Sequence, residues 1–171
     1  MNQQWIDVLQ AMPIFGGIEA AVLEGLLEES PIITTKEGDY FFREGSPADC
    51  LYVLDKGHAS VIKTWRGHGY VLHDFGPGDC FGEMALIDLR PRSAAIRASE
   101  LCTAIQISRT SIFKLQDENL GQWALLMRNM AVELSRRLRD MDRRLFQKTM
   151  ESKKISERVP GYKPFGVEKP E

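Results

Sequence analysis

Between Pro31 and Ser108 the chain is cut into short apolar runs by turn residues at nearly regular intervals. The runs are Ile32-Ile33-Thr34-Thr35, Tyr40-Phe41-Phe42, Leu51-Tyr52-Val53-Leu54, Ala59-Ser60-Val61-Ile62, Tyr70-Val71-Leu72, Ala94–Ala98 and Cys102–Ser108. Between them stand Glu37-Gly38-Asp39, Glu44-Gly45-Ser46-Pro47, Asp55-Lys56-Gly57, Arg66-Gly67-His68-Gly69 and Gly76-Pro77-Gly78-Asp79. Runs this short are too brief for stable helices, and their β-branched and aromatic residues suit a pleated surface. A spacing of roughly ten residues with Gly-rich turns predicts a barrel or a sandwich.

Helical spacing brackets this region. Trp5, Val8 and Leu9 share one face, and after Pro13 so do Ile18, Val22, Leu23, Leu26 and Leu27. From Thr110 the helical period returns, with a short helix at Ser111–Leu115 and a long one at Leu120–Phe146. The fold class expected is therefore mainly β with flanking helices: a jelly-roll-like β-barrel with N-terminal helices and a long C-terminal helix. In the long helix Leu120, Ala124, Met127, Ala131, Leu134, Leu138, Met141 and Leu145 alternate steps of four and three. That heptad seam favours a parallel helix pair at a homodimer axis over residues 120–145. The alternative is one face packed on the chain's own strands, which would show a wider apolar stripe. Residues 1–146 read as one domain. Residues 147–171 read as a flexible tail, since three of the eight prolines fall within its last twelve positions.

Composition narrows the function classes. A net charge of −2 predicts no general attraction to DNA or to an anionic membrane. Cys50, Cys80 and Cys102 are three in number and widely spaced, with no CxxC pair, so a disulfide framework or zinc site is not expected and a reducing cytoplasm fits. The N-terminus lacks the basic and apolar regions of a signal peptide, and no eighteen-residue apolar run occurs. His58, His68 and His73 form no HxH pair, which argues against a metal-dependent barrel enzyme, and no nucleophile triad can be assembled. The three cysteines cannot supply the thiolates of an iron–sulfur sensor. The expectation is a protein that is not an enzyme and carries no cofactor.

The chemistry sits in Phe81-Gly82-Glu83-Met84-Ala85-Leu86-Ile87-Asp88-Leu89-Arg90-Pro91-Arg92-Ser93-Ala94-Ala95. Gly82 admits close backbone approach. Glu83 to Asp88 suits a short helix whose first amides have no internal acceptor. Arg92 offers a permanently charged planar fork that matches a phosphate, and Ser93 adds a hydroxyl. An ionised Glu83 only accepts hydrogen bonds, so it suits a sugar hydroxyl rather than a phosphate. Together they fit a nucleotide whose ribose and phosphate share one compact ring. On the residues alone, a structural ion pair between Glu83 and Arg92 is an equal alternative.

This run resembles the phosphate-binding cassette of the cyclic-nucleotide-binding domain, found in regulatory subunits of cAMP-dependent kinase, in gated channels and in bacterial catabolite activator-like proteins. The family pattern is Phe-Gly-Glu, an aliphatic residue, Ala-Leu, a variable stretch, then Pro-Arg, a small residue and Ala. Phe81, Gly82, Glu83, Met84, Ala85, Leu86, Pro91, Arg92, Ser93 and Ala94 fill it. Pro13-Ile14-Phe15 and the hairpin through Glu44–Asp49 and Leu51–Gly57 extend the resemblance over residues 10–146. It implies a ligand, cAMP or cGMP, with Glu83 on the ribose 2′-hydroxyl and Arg92 on the cyclic phosphate. The amides of Gly82, Met84 and Ala85, with Ser93, would complete the phosphate shell. Leu72 would line the base pocket, and Arg136 or Arg137 could reach the base from the long helix. Cyclic AMP is favoured because bacterial relatives with this Arg-Ser pair commonly use it.

In activator-like relatives the long helix leads into a helix-turn-helix domain. The roughly 25 residues after it here are too few for a three-helix DNA reader, which predicts a stand-alone module signalling through its C-terminal helix to an unknown downstream protein. A truncated DNA-binding regulator is the rival. Its warrant is Arg136, Arg137, Arg139, Arg143 and Arg144, whose field is partly cancelled by Asp140 and Asp142.

Overall fold

The apolar runs become strands because each can put alternate side chains on opposite faces of a sheet. In the computed structural model, which describes residues 3–151, β1 (Ile32–Thr35), β2 (Tyr40–Phe42), β3 (Cys50–Lys56), β4 (Ala59–Trp65), β5 (His68–Phe75), β6 (Cys80–Phe81), β7 (Ala95–Ala98) and β8 (Cys102–Ser108) form two antiparallel sheets. Their orders are β1-β8-β3-β6 and β2-β7-β4-β5. The pairings nest: β1 with β8, β2 with β7, β3 with β6 and β4 with β5. That nesting is a jelly roll built as two sheets; the eight strands do not close into one barrel.

β3 shows how the layers are joined. Its first five residues are all buried, so both faces are covered. Leu51 and Val53 join the cluster of helical residues, with Ile105 and Ile107 of β8 beside them. Cys50, Tyr52 and Leu54 point the other way and pack with Ala59, Val61, Phe81, Ile96 and Ala104 of the inter-sheet core.

The helical side of that sheet is covered by α1 (Gln3–Ala11), a 3-10 turn (Pro13–Phe15), α2 (Ala20–Glu28), α4 (Arg109–Glu118) and the first turns of α5 (Leu120–Glu151). A short α3 (Met84–Ile87) lies in the cassette. Ser108 caps α4, its hydroxyl accepting from the Ser111 amide at 2.9 Å. Residues up to Glu133 form one compact unit and those from Leu134 a second, with α5 running through both. The helix continues five residues past the expected end at Phe146, so residues 147–151 are helical; residues 152–171 of the expected tail lie outside the described residues.

The face of α5 that meets the core is centred off the heptad seam, which adds only the half-buried Met127 to the contact among the described residues. Leu126 and Met130 are fully buried there, and Asn129 donates to the carbonyls of Ile14 at 3.2 Å and Gly16 at 2.8 Å. The seam residues Leu120, Ala124 and Ala131 are exposed, as are Leu138, Met141 and Leu145, while Met127 and Leu134 are half-buried.

Candidate functional site

The β3–β6 ladder sets Phe81 opposite Tyr52 and so brings the chain leaving β6 alongside Cys50. At that exit Gly82 takes φ +88, a conformation that side chains disfavour. A Cβ on Gly82 would overlap the Arg92 guanidinium. The backbone then turns directly into α3, whose first amides, at Met84 and Ala85, have no acceptor within so short a helix.

Arg92 reaches the same place from the other side. Its backbone is pinned to the turn before β3, with the Gly45 amide donating to the Arg92 carbonyl at 2.8 Å and the Arg92 amide donating to Ser46 at 3.0 Å. The side chain is 4% exposed. Nη1 donates to the Gly82 carbonyl at 3.0 Å and Nη2 to the Cys50 carbonyl at 2.7 Å, with the Cys50 sulfur at 3.4 Å. One face of the guanidinium lies 4.0 Å above the centre of the Phe42 ring. Nε is buried and has no partner among the described residues. A guanidinium so far out of water is costly unless paired, and two carbonyls and an aromatic face offset that cost.

Glu83 is 3% exposed, so the cassette buries a carboxylate and a guanidinium within one short segment. Ser93 is exposed, its hydroxyl 3.9 Å from the Met84 sulfur, and Ala94 packs partly against the inter-sheet core. Met84 is exposed. Phe81 is buried to 1%, stacked on Tyr52 and Phe75 at centroid distances of 5.4 Å, so its side chain belongs to the core and not to the surface of the site. Leu72 is exposed on β5; Val61 pairs with His73 and Ile62 with Val71, leaving Leu72 as the unpaired residue of a bulge. Arg136 and Arg137 lie on α5 in the second unit, the first exposed and the second half-buried.

Three neighbours of the cassette were not legible in the sequence. Lys63 donates to the Ser93 carbonyl at 2.6 Å and pairs with Glu44 at 2.5 Å, adding a second cation beside the cassette. The Lys63 ammonium, followed by the Thr64 amide, holds the Glu44 carboxyl below its ordinary range. Cys50 and Phe42 are the others, and only cross-strand pairing brings them to Arg92. Burial, then the contact with Cys50, pushes the Tyr52 phenol well above its ordinary value, so it stays neutral beside the guanidinium.

A buried acid, a buried arginine and a glycine-led helix start on one loop match a family pattern. The family model for the cyclic nucleotide-binding domain matches residues 32–119, more than half of the chain. This chain belongs to that family. The cyclic nucleotide-binding domain here is 27% identical over 107 residues to a cAMP-dependent protein kinase regulatory subunit of Emericella nidulans, covering 63% of this chain and 26% of that one. The structure of the Thermus thermophilus catabolite activator protein is 28% identical with a TM-score of 0.69, over 81% of this chain and 64% of that one. A cyclic nucleotide-binding domain from Methylobacillus flagellatus shares the fold at 22% identity and a TM-score of 0.78, over 91% of this chain and 88% of that one. The chain spans only about a quarter of the kinase subunit's length. Among the described residues no helix is long and apolar enough to cross a membrane.

Proposed function

We propose that this domain is a cytoplasmic receptor for a cyclic purine nucleotide, cAMP or cGMP, and that it regulates a partner without catalysing a reaction. The observation that carries this reading is the burial of Arg92 and Glu83 on one loop, with Gly82, in a left-handed conformation just before Glu83, accepting from the Arg92 guanidinium. Arg92 neutralises the cyclic phosphate, the amides of Gly82, Met84 and Ala85 with the Ser93 hydroxyl complete its shell, and Glu83 accepts from the ribose 2′-hydroxyl. Leu72, standing out from its bulge, lines the base. The kinase regulatory subunit among the relatives, named for cAMP, supports that nucleotide first.

The exposed seam on α5 supports a homodimer through residues 120–145. Leu138, Met141 and Leu145 are each at least 60% exposed on an amphipathic helix, the pattern of a coiled-coil face awaiting a second helix. Residues 1–146 act as the ligand-binding and dimerising domain, and α5 carries the signal to a downstream protein. In sedimentation velocity at micromolar protein with a fluorescent cAMP analogue, the dye is expected to move with a species of twice the chain's mass. Dye left in the supernatant would end the receptor reading; dye moving with a monomer would end the dimer.

A further inference from the structure

We propose that Phe42 is a positioning residue for phosphate recognition, holding the Arg92 guanidinium flat so that its free donors are aimed before a ligand arrives. This rests on the assignment of Arg92 to the phosphate.

A register shift between Tyr40 and Phe42 in the β2–β7 ladder, where Tyr40 pairs with Arg97 and Phe42 with Ile96, leaves Phe41 as an extra residue. Consecutive strand residues normally point to opposite faces. Here both Phe41 and Phe42 meet Tyr52 and Phe81, at centroid distances between 5.0 and 6.1 Å. The bulge thus delivers a second aromatic ring to the inner face. Phe41 serves the core. Phe42 is the ring under Arg92, 4.0 Å from Cζ, whereas Tyr52 is 5.9 Å away.

A guanidinium is planar, with two faces and five N–H donors. Gly82 and Cys50 fix one donor on each amino group, and Phe42 fixes a face. Two carbonyls alone would allow the plane to rock about the line joining them; the ring removes that motion. Nε, buried without a partner, is then a donor left for an anion. Recognition by a side chain already held in place loses less conformational entropy than recognition by a free one. The ring also favours the cation itself, because its face is electron-rich and water is excluded.

The test is calorimetric titration with cAMP and cGMP of the wild type, Phe42→Leu, Phe42→Tyr and a chain carrying pentafluorophenylalanine at position 42. The fluorinated ring keeps the shape of phenylalanine and reverses its charge distribution, so it separates the cation–π contact from packing even if Phe42→Leu folds poorly. Affinity is expected to fall about five- to thirtyfold for Phe42→Leu and for the fluorinated ring, and Phe42→Tyr is expected to recover most of it. The loss should vanish when Arg92 is already alanine, because Phe42 then has nothing to position. Unchanged affinity with the fluorinated ring, or an equal loss in the Arg92→Ala background, would overturn the proposal while leaving the receptor reading intact. A wild type that binds neither nucleotide would instead remove the receptor reading on which it rests.

Discussion

Arg92→Ala is expected to lower affinity for the cyclic nucleotide by between about thirtyfold and several thousandfold, and by more than Glu83→Ala does. Losing the partner of a desolvated phosphate typically costs about 2–5 kcal/mol. Losing hydrogen bonds to a charged acceptor costs about 1.5–3 kcal/mol, the scale set for Glu83. Arg92 is also part of the fold, since its amino groups satisfy the Gly82 and Cys50 carbonyls. Some stability is therefore lost too, about 1–3 kcal/mol if those acceptors stay dry. Titration under conditions where each variant is fully folded separates the two effects. An order with Glu83→Ala the weaker binder would reverse the roles assigned to acid and base.

Gly82→Ala should damage both the loop and the ligand site. Its φ of +88 is strained for alanine, at about 1–3 kcal/mol. Its new methyl would overlap the Arg92 guanidinium and come within 3.4 Å of the Cys50 carbonyl oxygen. To make room the guanidinium must leave its two carbonyls, so nucleotide affinity should fall nearly as far as in Arg92→Ala. Gly78 is the control, because its φ is +87 but nothing lies within 4 Å of a Cβ built there, and its amide donates to the Leu54 carbonyl rather than to the cassette. Gly78→Ala should lose comparable stability to urea and keep its affinity within a few fold. Equal losses of affinity in the two variants would show that backbone strain, not displacement of Arg92, decides binding.

The strand β8 was legible to the residue, because Cys102–Ser108 is an apolar-rich run that sets Cys102 and Ala104 into one core and Ile105 and Ile107 into the other. The β4–β5 hairpin was not. Its strands run to Trp65 and from His68, where the sequence suggested a longer loop, and most of β5 is exposed. Strands open to solvent carry no burial pattern; the tight Arg66-Gly67 turn, positive in φ at both residues, sets their length instead. The distinction between barrel and sandwich was equally hidden, since it depends on which distant strands pair. In α5 the seam stood out by its period, yet the fully buried apolar residues are Leu126 and Met130, off that seam, with the seam's Met127 only half-buried against the same core. Of the site, the cassette residues were readable as a contiguous motif. Phe42, Cys50 and Lys63 were not, because each reaches the cassette only through pairing across the sheets or a turn in another strand.

The proposed receptor depends on one loop, where the Arg92 guanidinium would neutralise the cyclic phosphate monoanion and the Glu83 carboxylate would hold the ribose. The direct measurement is the melting temperature of nucleotide-free protein with and without cAMP or cGMP. A ligand at a hundredfold excess over its dissociation constant adds about 2.7 kcal/mol of stability, which for a chain of this size is a rise of about 5–10 °C. Such a rise with at least one of the two nucleotides is the predicted result. A melting curve unmoved by millimolar concentrations of both would contradict it.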